Sequence, residues 1–226
     1  MTGEPSTEQL ADLTWPEAEV GPSTLLVPLG STEQHGPHLP LGTDTLIAAH
    51  WCARVAAGRA DVVVAPALPY GSSGEHQTFA GTLSIGTSAL TTVLVELGRS
   101  ALPPYGRLIL VNGHGGNAEG VRVAVETLQR EGRSVLAAWP RLPGDAHAGR
   151  TETSLLLAAA PGLVRLERAE PGNTTPLDRL LPTMIDRGVG AVAPNGVLGD
   201  PTGADADEGA VLWAELEAQL NALLDA

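Results

Sequence analysis

Between residues 24 and 139 the chain alternates short apolar runs with longer stretches whose apolar positions recur every three or four residues. The runs TLLVPL (24–29), DVVVAPAL (61–68), RLILVNG (107–113) and SVLAAW (134–139) carry too few polar positions for a strand with one wet face, so they read as buried strands. The stretches between them, DTLIAAHWCARVAAG, SALTTVLVELGRSAL and NAEGVRVAVETLQREG, have helical spacing, with Asp44, Ser88 and Asn117 standing where N-caps are expected. A fourth helix is predicted to start near Thr151, and DADEGAVLWAELEAQLNALL forms the last. Strand–helix alternation of this kind implies right-handed crossovers, hence an α/β fold with a mostly parallel sheet covered on both faces. Residues 165–205 are rich in proline and glycine without clear periodicity, and they read as a long ordered excursion over one face.

Composition narrows the picture. A length of 226 residues suits a single domain spanning 1–226. The apolar runs fall short of the roughly 20 residues of a membrane span, and the acidic, proline-bearing N-terminus lacks the pattern of a secretory signal, so a cytoplasmic protein is expected. A net charge of −13 disfavours a nucleic-acid partner. All 13 basic residues are arginine, which removes Schiff-base chemistry and the P-loop lysine. No GxSxG elbow is present, and the single cysteine, Cys52, lies in a helical apolar pattern as a buried structural thiol. Hydrolytic chemistry is left chiefly to carboxylates, histidines and metals.

Those residues collect in one place. Glu33, His35 and Asp44 follow the first predicted strand, His76 the second, His114 the third, and His147 with Glu152 the fourth. The carboxyl ends of parallel strands share one edge of the sheet, where ligands bind between diverging loops, so these four histidines and His38, on the loop after the first strand, make five of the six histidines candidates for one cleft. His38, on a proline-rich loop, and His50, on a helix, are the weaker ones. Glu33 and His35, two apart in an extended segment, point to the same side, so one metal ion could take both. Imidazole and carboxylate without thiolate suit Zn²⁺, Mn²⁺ or Fe²⁺. Taken singly, Asp44 also reads as a helix cap and Glu152 as a first-turn acid favoured by the helix dipole. In VNGHGGNAEG, Gly113-x-Gly115-x-x-Ala118 mimics a dinucleotide fingerprint, but the following strand ends without the ribose-binding acid. The preferred reading is that glycines let the backbone close around His114, with the amides of Gly115 and Gly116 able to receive an anion. Arg141 and Arg150, flanking HAG, are each a carboxylate receptor or an ordinary surface charge.

Taken together, GSTEQHGPHLPLGTDT, YGSSGEHQTFAGTLSIG, VNGHGGN, HAGRTETS and GVLGDPTGADADEG resemble, in this order, the creatininase family of metal-dependent amidohydrolases over nearly the whole chain. The resemblance implies a three-layer α/β/α sandwich, two divalent ions at the strand carboxyl ends and a homo-oligomer such as a hexamer. It implies Glu33, His35, Asp44 and His114 as metal ligands, Asp44 bridging both ions, and His147 as the catalytic histidine. Gly116 stands where creatininase itself has a glutamate ligand, and Glu152 is the implied replacement. The first two blocks look most like a branch of the family that trims a precursor peptide already modified by a radical enzyme, releasing a C-terminal Val-Tyr dipeptide. The alternatives are a small-molecule amidohydrolase of creatininase or deformylase type and a non-catalytic metal-binding protein.

Overall fold

The structure is a computed structural model that describes residues 9–19, 23–102 and 104–226. Four strands form one parallel sheet in the order β2-β1-β3-β4, with β1 at Thr24–Leu29, β2 at Val62–Val64, β3 at Arg107–Asn112 and β4 at Val135–Ala138. Three of the four lie within a residue or so of the expected bounds. The exception is β2, expected to reach residue 68 but three residues long. Pro66 has no N–H for the ladder. Its flanks keep the alignment, with the Ala65 and Leu68 amides donating to the carbonyls of Leu26 and Pro28.

After a short N-terminal helix α1 (Trp15–Glu19), the crossovers are α2 (Thr43–Ala56), α3 (Gly86–Ala101) and α4 (Ala118–Arg130). Beyond β4 come α5 (Arg150–Ala159), α6 (Leu177–Arg187) and α7 (Ala206–Leu224). From β1 to β2 the chain steps one way along the sheet, and afterwards it steps the other way. Right-handed crossovers therefore put α2 on one face and both α3 and α4 on the other. The core obeys this. Leu26, Val64, Ile109 and Val111 pack with α2, α5 and α7 through Trp51, Leu155 and Trp213. Leu25, Val27, Leu108 and Leu110 pack with α3 and α4 through Leu90, Leu94 and Leu128. The result is a three-layer α/β/α sandwich, with Cys52 fully buried in the first core. No helix among the described residues is long and apolar enough to cross a membrane.

The excursion at 165–205, expected to lack periodicity, contains a helix whose apolar residues Leu177, Leu180, Leu181, Met184 and Ile185 are helically spaced. In α6, Pro182 interrupts LDRLLPTMIDR and Pro176 precedes it, yet Leu180 and Met184 bury one face. They form a small core of their own with Val189, Ala193 and Leu198. This core holds the excursion across the loops that follow β2.

Candidate active site

The strand order reverses between β1 and β3, and the loops leaving these neighbours diverge there, opening a crevice at their carboxyl ends. Residues 30–35 leave β1 extended and deliver Glu33, Gln34 and His35 into it, before the chain turns at Gly36, φ 64°. Asp44, one expected reading of which was an N-cap, lies inside the first turn of α2, and Gly42 takes the cap position. Its carboxylate instead accepts a 2.6 Å hydrogen bond from Ser31 Oγ and faces two imidazoles, His35 Nε2 at 2.9 Å and His114 Nδ1 at 3.2 Å. The ring of His35 is held from behind, its Nδ1 lying 3.2 Å from the Glu33 carbonyl.

Glu33 lies at the centre. Fully buried, its Oε2 is 3.2 Å from His114 Nε2 and its Oε1 is 3.3 Å from His76 Nε2. Neither oxygen has a hydrogen-bond partner among the described residues. Burial first, then the Asp44 charge, pushes Glu33 up to about 7. Burial opposes charge on His35 and His114, but Asp44 overrides it and holds them up to about 10 and about 9. The same imidazoles pull Asp44 well below the carboxylate range despite its burial. A buried carboxylate whose oxygens face imidazoles without hydrogen-bond geometry is poorly compensated, and a divalent cation is the partner that this oxygen and nitrogen set fits. Three groups have ligand atoms within 4.8 Å of one another: Glu33, Asp44 and His114; His35, Asp44 and Glu152; Glu33, His35 and His147. The first two share Asp44.

His147 enters from the loop after β4. Ala148 beside it is the one described non-glycine residue with positive φ, at 52°, and its amide donates a 2.6 Å hydrogen bond to Glu152 Oε2. This turn aims both side chains inward. Gln34 organises the far side. Its Oε1 accepts from the Gly36 amide, which orients the side-chain amide to donate to His76 Nδ1 at 2.9 Å and to the Gly196 carbonyl at 3.0 Å. His147 Nε2 lies 2.9 Å from the Gln34 backbone carbonyl and 3.0 Å from the Gln34 side-chain amide nitrogen; in the tautomer protonated at Nε2 it donates to the carbonyl and leaves Nδ1 turned toward Glu33, 3.9 Å from Oε1. Burial, with His35 and His76 nearby, holds His147 well below the ordinary histidine range, so the ring is neutral and Nδ1 is open to a proton.

The other expected residues fall elsewhere. Arg150 places Nε 2.9 Å from both oxygens of Glu208 and lines a surface cavity with Asp145 and Asp200 rather than the cluster. Arg141 lies in another cavity, beside Trp139 and Gln219. His38 is buried and bonded to Thr153 Oγ1, and His50 packs edge-on against Trp213. Gly116 is required by close approach: a Cβ there would collide with the Ser72 carbonyl and lie 2.6 Å from Glu75 Oε1. Gly113 likewise has the Asp44 carbonyl against it, whereas a Cβ on Gly115 would meet open space. Glycine is thus used for packing around His114 at two of the three positions. Two residues of this site escaped the sequence reading, Gln34 and Glu75. Both adjoin histidines in the quoted blocks, and that adjacency was the available signal.

The sequence pattern of the creatinine amidohydrolase family matches residues 11–224. The chain belongs to the creatininase family. It is 50% identical over 228 residues to a mycofactocin precursor peptide peptidase of Mycobacterium ulcerans (strain Agy99), covering 93% of this chain and 85% of that one. Among solved structures it superposes on one described as "Creatininase Mn" with a TM-score of 0.79 at 28% identity, covering 95% and 96% of the two chains. A mutant creatininase of "Zn-Zn type" gives a TM-score of 0.78 at 28% identity, covering 93% and 94%. As a creatininase-family member the protein is a hydrolase of amide or peptide bonds, and its chemistry uses divalent metal.

Proposed function

We propose that the protein is a two-metal peptidase that releases the C-terminal Val-Tyr dipeptide from the modified mycofactocin precursor peptide. The observation that carries the metal part is the pair of ligand groups sharing Asp44. In this reading Glu33, Asp44 and His114 would hold one ion and His35, Asp44 and Glu152 the other, Asp44 being common to both groups. The ions are Zn²⁺, Fe²⁺ or Mn²⁺, and the peptide substrate follows the Mycobacterium ulcerans relative. The reading takes residues 1–226 as one domain, working in the cytoplasm as a homo-oligomer.

Divalent ions there would supply Lewis-acid polarisation of the scissile carbonyl and a water activated at neutral pH. The chain supplies the proton path. The open Nδ1 of His147 accepts a proton from the attacking water and returns it to the leaving nitrogen, a role worth about 10² to 10⁴ in rate. Gln34 keeps that nitrogen facing the cluster by holding the other one. The amides of Gly115 and Gly116, at the start of the turn into α4, are the donors this scheme assigns to the polarised oxygen.

Incubation with the modified precursor should release intact Val-Tyr, identified by mass, with turnover lost on chelation and restored by metal. Hydrolysis of creatinine or a formamide without any dipeptide would place the protein on the small-molecule side of the family.

A further inference from the structure

Around the cluster, two side chains keep substantial open surface: Glu152, 21% exposed, and Glu75, 28% exposed. Glu75 lies between the buried chemistry and an open groove. Its Oε1 lies 4.0 Å from His114 Nε2, and the neighbouring His76 faces Glu33. On its outer side the short turn at Gly74–His76 forms one wall of a cavity of about 580 Å³, with α6 as the other. A Cβ on Gly188, at φ 78°, would lie 2.9 Å from the Glu75 carbonyl, so the end of α6 is seated directly against this turn. The α6 wall presents Leu181, 41% exposed, and Ile185, 83% exposed, above the buried Met184, and it ends in the charged pair Asp186 and Arg187. Gln77 and Thr78 complete the facing wall.

We infer that this groove is the substrate subsite that takes an apolar side chain of the peptide next to the scissile bond, with Leu181 and Ile185 as its wall and Glu75 as its inner end. The inference rests on the peptidase reading. A peptide bond carries side chains close to the reacting carbonyl, and an enzyme that buries its catalytic groups needs an adjoining channel for them. The groove lies within the size range of ligand pockets, and Glu75 is common to its lining and to the rim of the cluster. A large aliphatic side chain exposed on a helix above a buried Met core is unfavourable to leave in water, and an apolar substrate side chain laid against it removes both surfaces from solvent. A cyclic amide the size of creatinine has no use for such a channel.

The test replaces Leu181 and Ile185 together by glutamate. Both are exposed enough that the fold does not depend on them, and neither touches the cluster. With the modified precursor the Leu181→Glu/Ile185→Glu enzyme should show KM raised about tenfold or more, the scale on which apolar pockets discriminate, with kcat and bound metal essentially unchanged. Ile185→Leu should keep the wild-type KM. An unchanged KM in the double variant overturns the subsite. So does a fall in subunit number on sizing, which would make this face a contact between copies. If the wild-type enzyme itself leaves the modified peptide intact, it is the peptidase reading that fails, and the subsite goes with it.

Discussion

His147 and Glu152 leave the same turn, five residues apart, and the geometry separates their work. Glu152 joins a ligand group with His35 and Asp44, and its Oε2 is steadied by the Ala148 amide. His147 is held by one nitrogen on a backbone carbonyl and presents the other to Glu33. Glu152→Ala should therefore lose bound metal, measured by elemental analysis. His147→Ala should keep most of its metal while turnover falls about 10² to 10⁴-fold. His147 also completes a possible ligand group with Glu33 and His35. Metal loss in the His147 variant with retention in the Glu152 variant would exchange the two roles. This contrast was half legible in the sequence. HAGRTETS displays both residues, but the left-handed backbone at Ala148 that aims them belongs to the folded loop, and nothing in an alanine announces it.

Among the elements, α7 shows how much local sequence decides. Asp205 occupies its N-cap and accepts a 2.8 Å hydrogen bond from the Glu208 amide. The Glu208 side chain then binds Ser154 and Arg150 of α5, and the Trp213 indole donates to the Leu155 carbonyl, so the cap and the layer contact are built together. Removing such a cap costs about 1 kcal/mol. Asp205→Ala should accordingly lower the melting temperature by roughly 2–4 °C in a chain of this length, with kcat unchanged. A larger loss accompanied by inactivation would mean that the end of α7 supports the site. At the other extreme stands α6, whose apolar residues have helical spacing but are obscured by Pro182 within the helix and Pro176 at its N-cap. Its helix exists because Leu180 and Met184 find Val189, Ala193 and Leu198, residues outside its own segment.

The whole molecule keeps buried carboxylates and imidazoles in its central crevice, and a bound cation would add to stability through mass action. At a free metal concentration a hundredfold above the dissociation constant the gain is about 2.7 kcal/mol. That corresponds to a melting temperature roughly 5–10 °C higher than in the chelated protein. Asp44→Ala should abolish this difference, because both shared groups lose a member. An Asp44→Ala protein that still melts higher with metal would place the ion elsewhere. The sequence by itself determined the layered α/β architecture, since buried apolar runs alternating with amphipathic stretches leave a parallel sheet few ways to be covered. It also determined that Glu33, His35, Asp44, His114, His147 and Glu152 would leave the same edge of that sheet, because every one of them follows a strand. Which side chains then turned inward was decided only by the tertiary structure. Arg150 went to Glu208 and His38 to Thr153, each satisfied by a partner more than 50 residues away in sequence. Gln34 and Glu75 joined the cluster, because orientation across a crevice depends on packing between segments that no local pattern records.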